Sequence, residues 1–388
     1  MGRVVVLGVG LTKVGEHWNK SIRDLFVEAA LRAVEDAGIE LSDIEAVIVG
    51  NMSSGYLQGQ EHLGALMSTW LGLRGVATAK VESACASGGV AFHQAFLAVA
   101  SGIYDCVLVG GVEKMTDAVT EDVISALIMA DDQEYVASTG ITFAGLNALV
   151  YREYMRKYGV KQEEIAYFAV HDHKYARDNP YAQYPFEVSL EQVLASPLVA
   201  DPIRLLESSP ISDGAAAVVL CSLEKAKSIK SEGLVEVVGS AVATDILSPH
   251  EREDLTTLYA THVAAERAYK MAKVEPKDIN VVEVHDAYTV LGPIHLEDLG
   301  FVKKGDGAKF VVEGNIEKDG KLPTNTFGGL KARGHPVGAT GIYQIVEVVW
   351  QLRGEAGKNQ VSDAEIGLAQ SVGGVGSSVA VNIFRRLR

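Results

Sequence analysis

Three cysteines in 388 residues are too few, and too far apart, for a disulfide framework or a zinc site. Cys85, Cys106 and Cys221 stand at no metal-ligand spacing, so no metal is expected and a reducing, cytoplasmic setting is. No stretch reaches the ~18 uninterrupted apolar residues of a membrane span. The opening "MGRVVVLGVG" is too short in its apolar run for a signal peptide and has no cleavage pattern. Positive charge is also in short supply: 35 Lys and Arg face 50 Asp and Glu, for a net charge of −15. A nucleic-acid binder would carry a basic face, so that class is set aside. An anionic ligand would need cations gathered locally or brought by a partner. The near-fingerprint "GVGLTKVG" (8–15) misplaces its third glycine and lacks the closing acid, so a bound dinucleotide is not expected.

Glycine, by contrast, is plentiful at 39 residues. Short β-branched runs such as "RVVVLGVG" and "AVIVGN" alternate with alanine-rich amphipathic stretches, which predicts an α/β fold. "SIRDLFVEAALRAVEDAG" reads as a helix with Ser21 as its N-cap and Gly38 as its stop. The chain is longer than one typical core, so two domains or a duplicated one are expected. A repeat supports duplication. "AALRAVEDAGIELSDIEAVIVGN" (29–51) aligns without a gap on "AAERAYKMAKVEPKDINVVEVHD" (264–286), with ten of 23 pairs identical. The expected halves are 1–232 and 233–388, with an insertion at about 117–204 forming a cap over the site or part of a subunit interface.

"VESACASGG" (81–89) places Cys85 among small residues where a strand gives way to a helix. Free backbone N–H groups and the helix dipole there favour thiolate and are expected to lower the thiol pKa. Small neighbours admit a carbonyl, and the same N–H groups can hold an oxyanion. In the second half "GGLKARGHPVGATG" (328–341) has the same character, with His335 in the place of Cys85, so a thiol and a base are expected to meet. Cys106 and Cys221 lie inside apolar runs and are expected to be inert. "HDH" (171–173) sits on a predicted solvated helix, and His285 ends a strand of the repeated unit.

Together these segments resemble the thiolase family. "VESACASGG" is similar to its nucleophile motif, "VLVGGVEKMT" (107–116) to its GG-x-E-x-M-S stretch, "SPISDGAAAVVL" (209–220) to its DGAAA strand, and "GGLKARGHPVGATG" to its GHP motif. The resemblance covers nearly the whole chain. It implies the thiolase fold, two βαβαβαββ halves stacked as a five-layered αβαβα sandwich, usually dimeric. It also implies acyl transfer to and from coenzyme A through an acyl-Cys85, with coenzyme A as substrate and product and no further cofactor. "HDAY" (285–288) resembles the form found in sterol-carrier-type and archaeal thiolases, in which the histidine and a water stabilise the enolate oxygen. The resemblance assigns Cys85, His335 and His285 to catalysis, with Asp286, Gly373 and Ser371 supporting the oxyanion. Residues that contact coenzyme A are not assigned.

Two departures matter. The family's second cysteine, in a C-x-G motif, is replaced in "LAQSVGGVGSS" (368–378) by Ser371 or Gln370. Position 287, where sterol-carrier-type enzymes place a compensating cysteine, is Ala287. The α-carbon proton must then travel by His285 or a held water. The leading reading is acetyl-CoA C-acetyltransferase, the first step of the mevalonate pathway. A decarboxylating ketoacyl-synthase-type enzyme, a retro-aldolase and a weakly catalytic scaffold are the alternatives. The resemblance to archaeal members implies a homodimer or dimer of dimers, partnered by 3-hydroxy-3-methylglutaryl-CoA synthase and a small zinc-ribbon/OB-fold protein that helps bind the CoA tail. The alternative source of positive charge is convergence of Lys174, Arg177, Lys331 and Arg333 in the fold.

Overall fold

The computed structural model describes residues 2–387. Nine strands form its main sheet system: β1 (Val4–Leu11), β2 (Ala46–Gly50), β3 (Ala77–Val81), β4 (Cys106–Glu113), β5 (Gly214–Ser222), β6 (Val235–Thr244), β7 (Val281–Glu283), β8 (Ile366–Gly373) and β9 (Ser378–Arg386). Their spatial order is β3-β2-β4-β5-β1-β6-β9-β8-β7. The two central strands meet through only two residue pairs, Val5 with Glu236 and Val6 with Val235. Outward from that seam the two sides run alike. β1 and β6 each pair antiparallel with β5 and β9, and these pair antiparallel with β4 and β8. β4 and β8 in turn pair parallel with β2 and β7. The outermost β3 has its counterpart in a single parallel bridge between Val282 and Thr324.

Burial on both faces explains the unbroken apolar runs of the inner strands. In β1, Val4, Val6 and Val9 face one core while Val5 and Leu7 face another. The first core lies between the sheets. It is filled by helices α2 (Ser87–Ala100) and α6 (Thr340–Arg353), with Phe92, Phe96, Ile342 and Val346 packed against both sides. Helix α1 (Ile22–Ala37) covers one outer face through Phe26, Ala29 and Ala33. Helix α5 (Tyr259–Ala272) covers the other through Ala264 and Ala268. The stack is therefore helix, sheet, helix, sheet, helix, the five layers expected from the sequence.

The local signals at α1 hold. Ser21 Oγ accepts from the Asp24 amide at 3.3 Å, Asp24 accepts from the Ser21 amide at 2.8 Å, and Gly38 closes the helix at φ +68°. Short 3₁₀ turns at Leu41–Asp43 and Pro276–Asp278 follow α1 and α5 at matching positions of the aligned segments. None of the described helices is long and apolar enough to cross a membrane.

Residues 117–204 hold two long helices, α3 (Phe143–Tyr158) and α4 (Gln162–Ala176). The expectation that "HDH" lies on a solvated helix is wrong. His171, Asp172 and His173 of α4 are all buried, and His171 Nε2 meets the Thr324 carbonyl at 2.7 Å. The reason is nonlocal: α4 is covered by the second half of the chain, which no pattern within α4 reveals. Beyond α4, the Gln183 and Tyr184 amides donate to the carbonyls of Arg333 and Ala332. The segment thus braces the turn that leads into His335.

Candidate active site

Cys85 follows Ala84, whose φ of +50° is a left-handed conformation unusual for a side chain with a Cβ. Ser87 holds that turn, accepting from the Ser83 amide at 2.9 Å and donating to the Ala84 carbonyl at 2.6 Å. The thiol thus stands just ahead of the N-terminus of α2, as expected, but its acidity is not as expected. Burial, and after it the Glu113 charge, push Cys85 up to about 12, although a local backbone hydrogen bond pulls the other way. Desolvation of a thiolate outweighs the helix terminus here. Cys85 rests as a thiol and needs a base.

His335 can be that base by its tautomer. Thr340 Oγ1 donates to the Pro336 carbonyl at 3.1 Å, which leaves its lone pair for His335 Nδ1–H at 2.6 Å. Nε2 is then unprotonated and free to accept. His285 has the opposite arrangement. Its Nδ1 accepts from the Val372 amide at a long 3.4 Å, so Nε2 carries the hydrogen and is a donor. The rings meet edge to face with centroids 5.1 Å apart. Both are held neutral. Burial, then the Arg333 charge, lower His285 to about 3, and burial, His285 and Arg333 lower His335 well below the usual range. One base and one donor therefore stand side by side with no charge on either.

Helix contacts without side chains bring the two turns together. A Cβ on Gly88 would lie 2.9 Å from the Gly338 carbonyl oxygen, and one on Gly341 would lie 2.5 Å from the Gly89 nitrogen. Glycine at these positions lets α2 and α6 approach until Cys85 shares a small apolar cluster with Val337 of the His335 turn. The two turns are not equivalent residue by residue: α2 begins at Ser87 and α6 at Thr340, so Cys85 stands closer to its helix than His335 does.

Glu113, to which the motifs alone assign no role, ties the His335 turn to the segment that follows β2. Its buried carboxylate accepts from Asn51 Nδ2, the Met52 and Ser53 amides, Ser53 Oγ and the Gly338 amide, all between 2.5 and 3.0 Å. The GG-x-E stretch contains the signal, but only the fold shows what the acid touches. Asp286 accepts from Asn325 Nδ2 and the Leu330 amide at 2.8 Å each and from the Lys331 amide at 3.2 Å. Gly373 lies against the Ser83 carbonyl, where a Cβ would approach to 2.2 Å. Ser371 Oγ is hemmed by Gly89 and Gly341 and lies 3.5 Å from the Cys85 carbonyl oxygen.

The four scattered cations do not converge. Lys331 and Arg333 are buried, Arg333 against Glu347 at 3.0 Å, while Lys174 pairs with Glu317 at 2.5 Å and Arg177 with Asp178 at 2.9 Å and Glu187. A cavity of about 440 Å³ borders the thiol's cluster through Met52, and its charged lining consists of Glu61 and Glu82.

Comparison with known proteins matches residues 4–224 to the family described as "Thiolase, N-terminal domain" and residues 241–386 to "Thiolase C-terminal domain-like". The chain is 50% identical to acetyl-CoA acetyltransferase of Methanothermobacter thermautotrophicus, with all of both chains covered. It is 47% identical to the protein of that name from Methanocaldococcus jannaschii, with 99% of each covered. Human sterol carrier protein 2 is 33% identical over 99% of this chain and 72% of its own length. Among solved structures, an Ltp2-ChsH2(DUF35) aldolase superposes with a TM-score of 0.85 at 26% identity, covering 98% of this chain and 97% of the other.

Proposed function

The chain belongs to the thiolase family, and from that premise we propose that it is an acetyl-CoA C-acetyltransferase, condensing two acetyl-CoA to acetoacetyl-CoA and coenzyme A and catalysing the reverse thiolysis. The observation that carries this reading is the meeting of the two turns: Cys85 shares an apolar cluster with Val337, two residues beyond His335, and the His335 and His285 rings lie edge to face with centroids 5.1 Å apart. In it, His335 Nε2 takes the Cys85 proton as Sγ attacks the first thioester. His285 Nε2–H donates to the oxygen of the second substrate's enolate, a poor species in water that a fixed donor in a dry site stabilises. The Gly373 backbone beside the nucleophile turn serves the tetrahedral oxyanion, and Asp286 serves by fixing the turn ahead of His335. Two neutral imidazoles suit this chemistry, since one must accept a proton and the other must not lose one.

The partner reading rests on charge. The chain is strongly acidic, the cations that might have gathered are buried or paired, and the cavity beside the thiol's cluster is lined by acids. The phosphates of coenzyme A would be repelled unless another protein supplies positive charge. We assign that role to a small zinc-ribbon/OB-fold protein, with 3-hydroxy-3-methylglutaryl-CoA synthase consuming acetoacetyl-CoA in a cytoplasmic mevalonate pathway. The Ltp2-ChsH2(DUF35) aldolase, by its name, joins its aldolase chain to a DUF35 protein.

Incubation with acetyl-labelled acetyl-CoA, followed by peptide mapping, tests the core of the proposal. The acetyl group should be found on Cys85, and acetoacetyl-CoA should be cleaved only when coenzyme A is present. No label with or without the partners would indicate a scaffold. Product formed only from malonyl-CoA would indicate a decarboxylating condensing enzyme.

A further inference from the structure

His335 stands between a loose joint and a stiff one. Gly334 before it has φ +113° and ψ 165°, a conformation that few residues besides glycine adopt. Pro336 after it has its φ fixed by the ring. A base must stay within hydrogen-bond reach of the thiol to act on it, and a glycine without outside support does not hold a following side chain in one direction. Thr340 fixes the imidazole at Nδ1, but from the far side of Pro336.

The peptide groups on both sides of Gly334 are held from outside the motif. Ahead of it, the Arg333 carbonyl accepts from the Gln183 amide at 2.9 Å. After it, the His335 amide donates to Ser212 Oγ at 3.0 Å. The two holds are themselves joined. The Ser212 hydroxyl donates to Gln183 Oε1 at 2.6 Å, nearer than its other acceptor, the Pro210 carbonyl at 3.1 Å. Gln183 Nε2 donates to the Ile211 carbonyl at 3.2 Å. With its hydrogen committed to Gln183, the hydroxyl has its lone pairs free for the His335 amide. The same side chains close over the glycine: a Cβ there would lie 2.9 Å from Gln183 Oε1 and 3.1 Å from Ser212 Oγ. Ser212 is buried and Gln183 half-buried. Gln183 belongs to the insertion and Ser212 to the run that leads into β5, so three segments remote in sequence meet at one joint.

We infer, on the reading above that His335 is the base in a thiolase reaction, that Gln183 and Ser212 are positioning residues that clamp the Gly334 joint and keep His335 Nε2 aimed at the Cys85 proton. The insertion then does more than cover the site, because it sets the geometry of proton transfer. Without the clamp the His335 backbone swings about Gly334, and the thiol meets its base in a smaller share of encounters. The step itself is unchanged: the proton still passes from Sγ to Nε2.

Ser212→Ala and Gln183→Met are the tests, the second keeping the length of the side chain while removing its amide. Iodoacetamide alkylation of Cys85, read by peptide mapping, is followed from pH 7 to pH 10 on wild type, both variants and His335→Ala, each shown to be folded by its thermal melt. At pH 7 Ser212→Ala should be about tenfold slower than wild type and Gln183→Met at least about threefold slower, a partial loss of what a general base contributes. The gap should close as pH rises, because direct ionisation of the thiol needs no base and grows about tenfold per pH unit. A gap of the same size at every pH would mark a distorted pocket and overturn the proposal. A folded variant within about twofold of wild type at pH 7 strikes that residue from the clamp. Should Ser212→Ala not fold, Gln183→Met, at a half-buried position, decides alone. His335→Ala alkylating as fast as wild type would overturn the base and the clamp together. The assay uses no acyl-CoA, so failure of the thiolase reading shows separately, as absence of acetyl transfer in a chain whose alkylation still depends on the clamp.

Discussion

At the scale of single residues, the two histidines should separate by assay. His335→Ala should slow iodoacetamide alkylation of Cys85 by at least tenfold at neutral pH, because the raised thiol loses its base. His285→Ala should leave alkylation within about twofold and stop carbon–carbon bond formation. Equal effects on alkylation would contradict the tautomers drawn from Thr340 and Val372. His285 also makes a stability prediction. Above pH 6.5 it is neutral in the folded and unfolded chain alike, whereas between 6.5 and about 3 only the unfolded chain takes up the proton. Stability should therefore fall with pH through that window, by about 1.4 kcal/mol per unit for a fully buried group. Raised carboxyls such as Asp298 work in the opposite direction but are common to wild type and variant. The urea midpoint of His285→Asn should thus fall less than that of wild type between pH 6.5 and 4.5; parallel curves would refute the depressed pKa. These signs were not legible in the sequence. Motifs located Cys85, His285 and His335, but whether a thiol is raised or lowered depends on burial assembled from distant segments.

At the scale of elements, the pairing of α2 with α6 is where sequence and structure agree in kind and differ in detail. The glycines of "CASGG" and "GHPVGATG" marked both turns, and the caps of α1 were readable because a cap is a local event. That Gly89 and Gly341 face each other was not readable, since it depends on how the two sheets stack. Gly341→Ala tests this contact. Its Cβ would meet the Gly89 nitrogen at 2.5 Å and Ser371 Oγ at 2.7 Å, and the backbone partner cannot rotate away. A loss of about 1–3 kcal/mol is expected by denaturant melt, with acyl transfer falling more than stability explains, because the helices carry the thiol and its base. Gly15→Ala, with nothing within 4 Å of the added atom, is the control and should change neither. A Gly341→Ala protein with wild-type melt and turnover would show that the helix spacing is not limiting.

At the scale of the whole molecule, one sheet edge is left open. β3 has a single neighbour, β2, and Ala77, Thr78 and Ala79 are exposed along it. Unpaired edge groups invite another strand, which supports the homodimer reading with β3 as its contact. Thr78→Pro, which removes one donor and stiffens the strand, should then shift the purified chain from dimer to monomer by light scattering. An unchanged mass would move the contact elsewhere, and a monomeric wild type would end the reading. The narrow join between β1 and β6 has a consequence of another sort. The thiol and its base lie on opposite sides of that seam and are far apart along the chain. As the ribosome delivers the protein, Cys85 emerges long before His335 exists. The nascent thiol is thus without its base, and a truncated product ending before the second half would carry a cysteine that acyl thioesters encounter without being consumed.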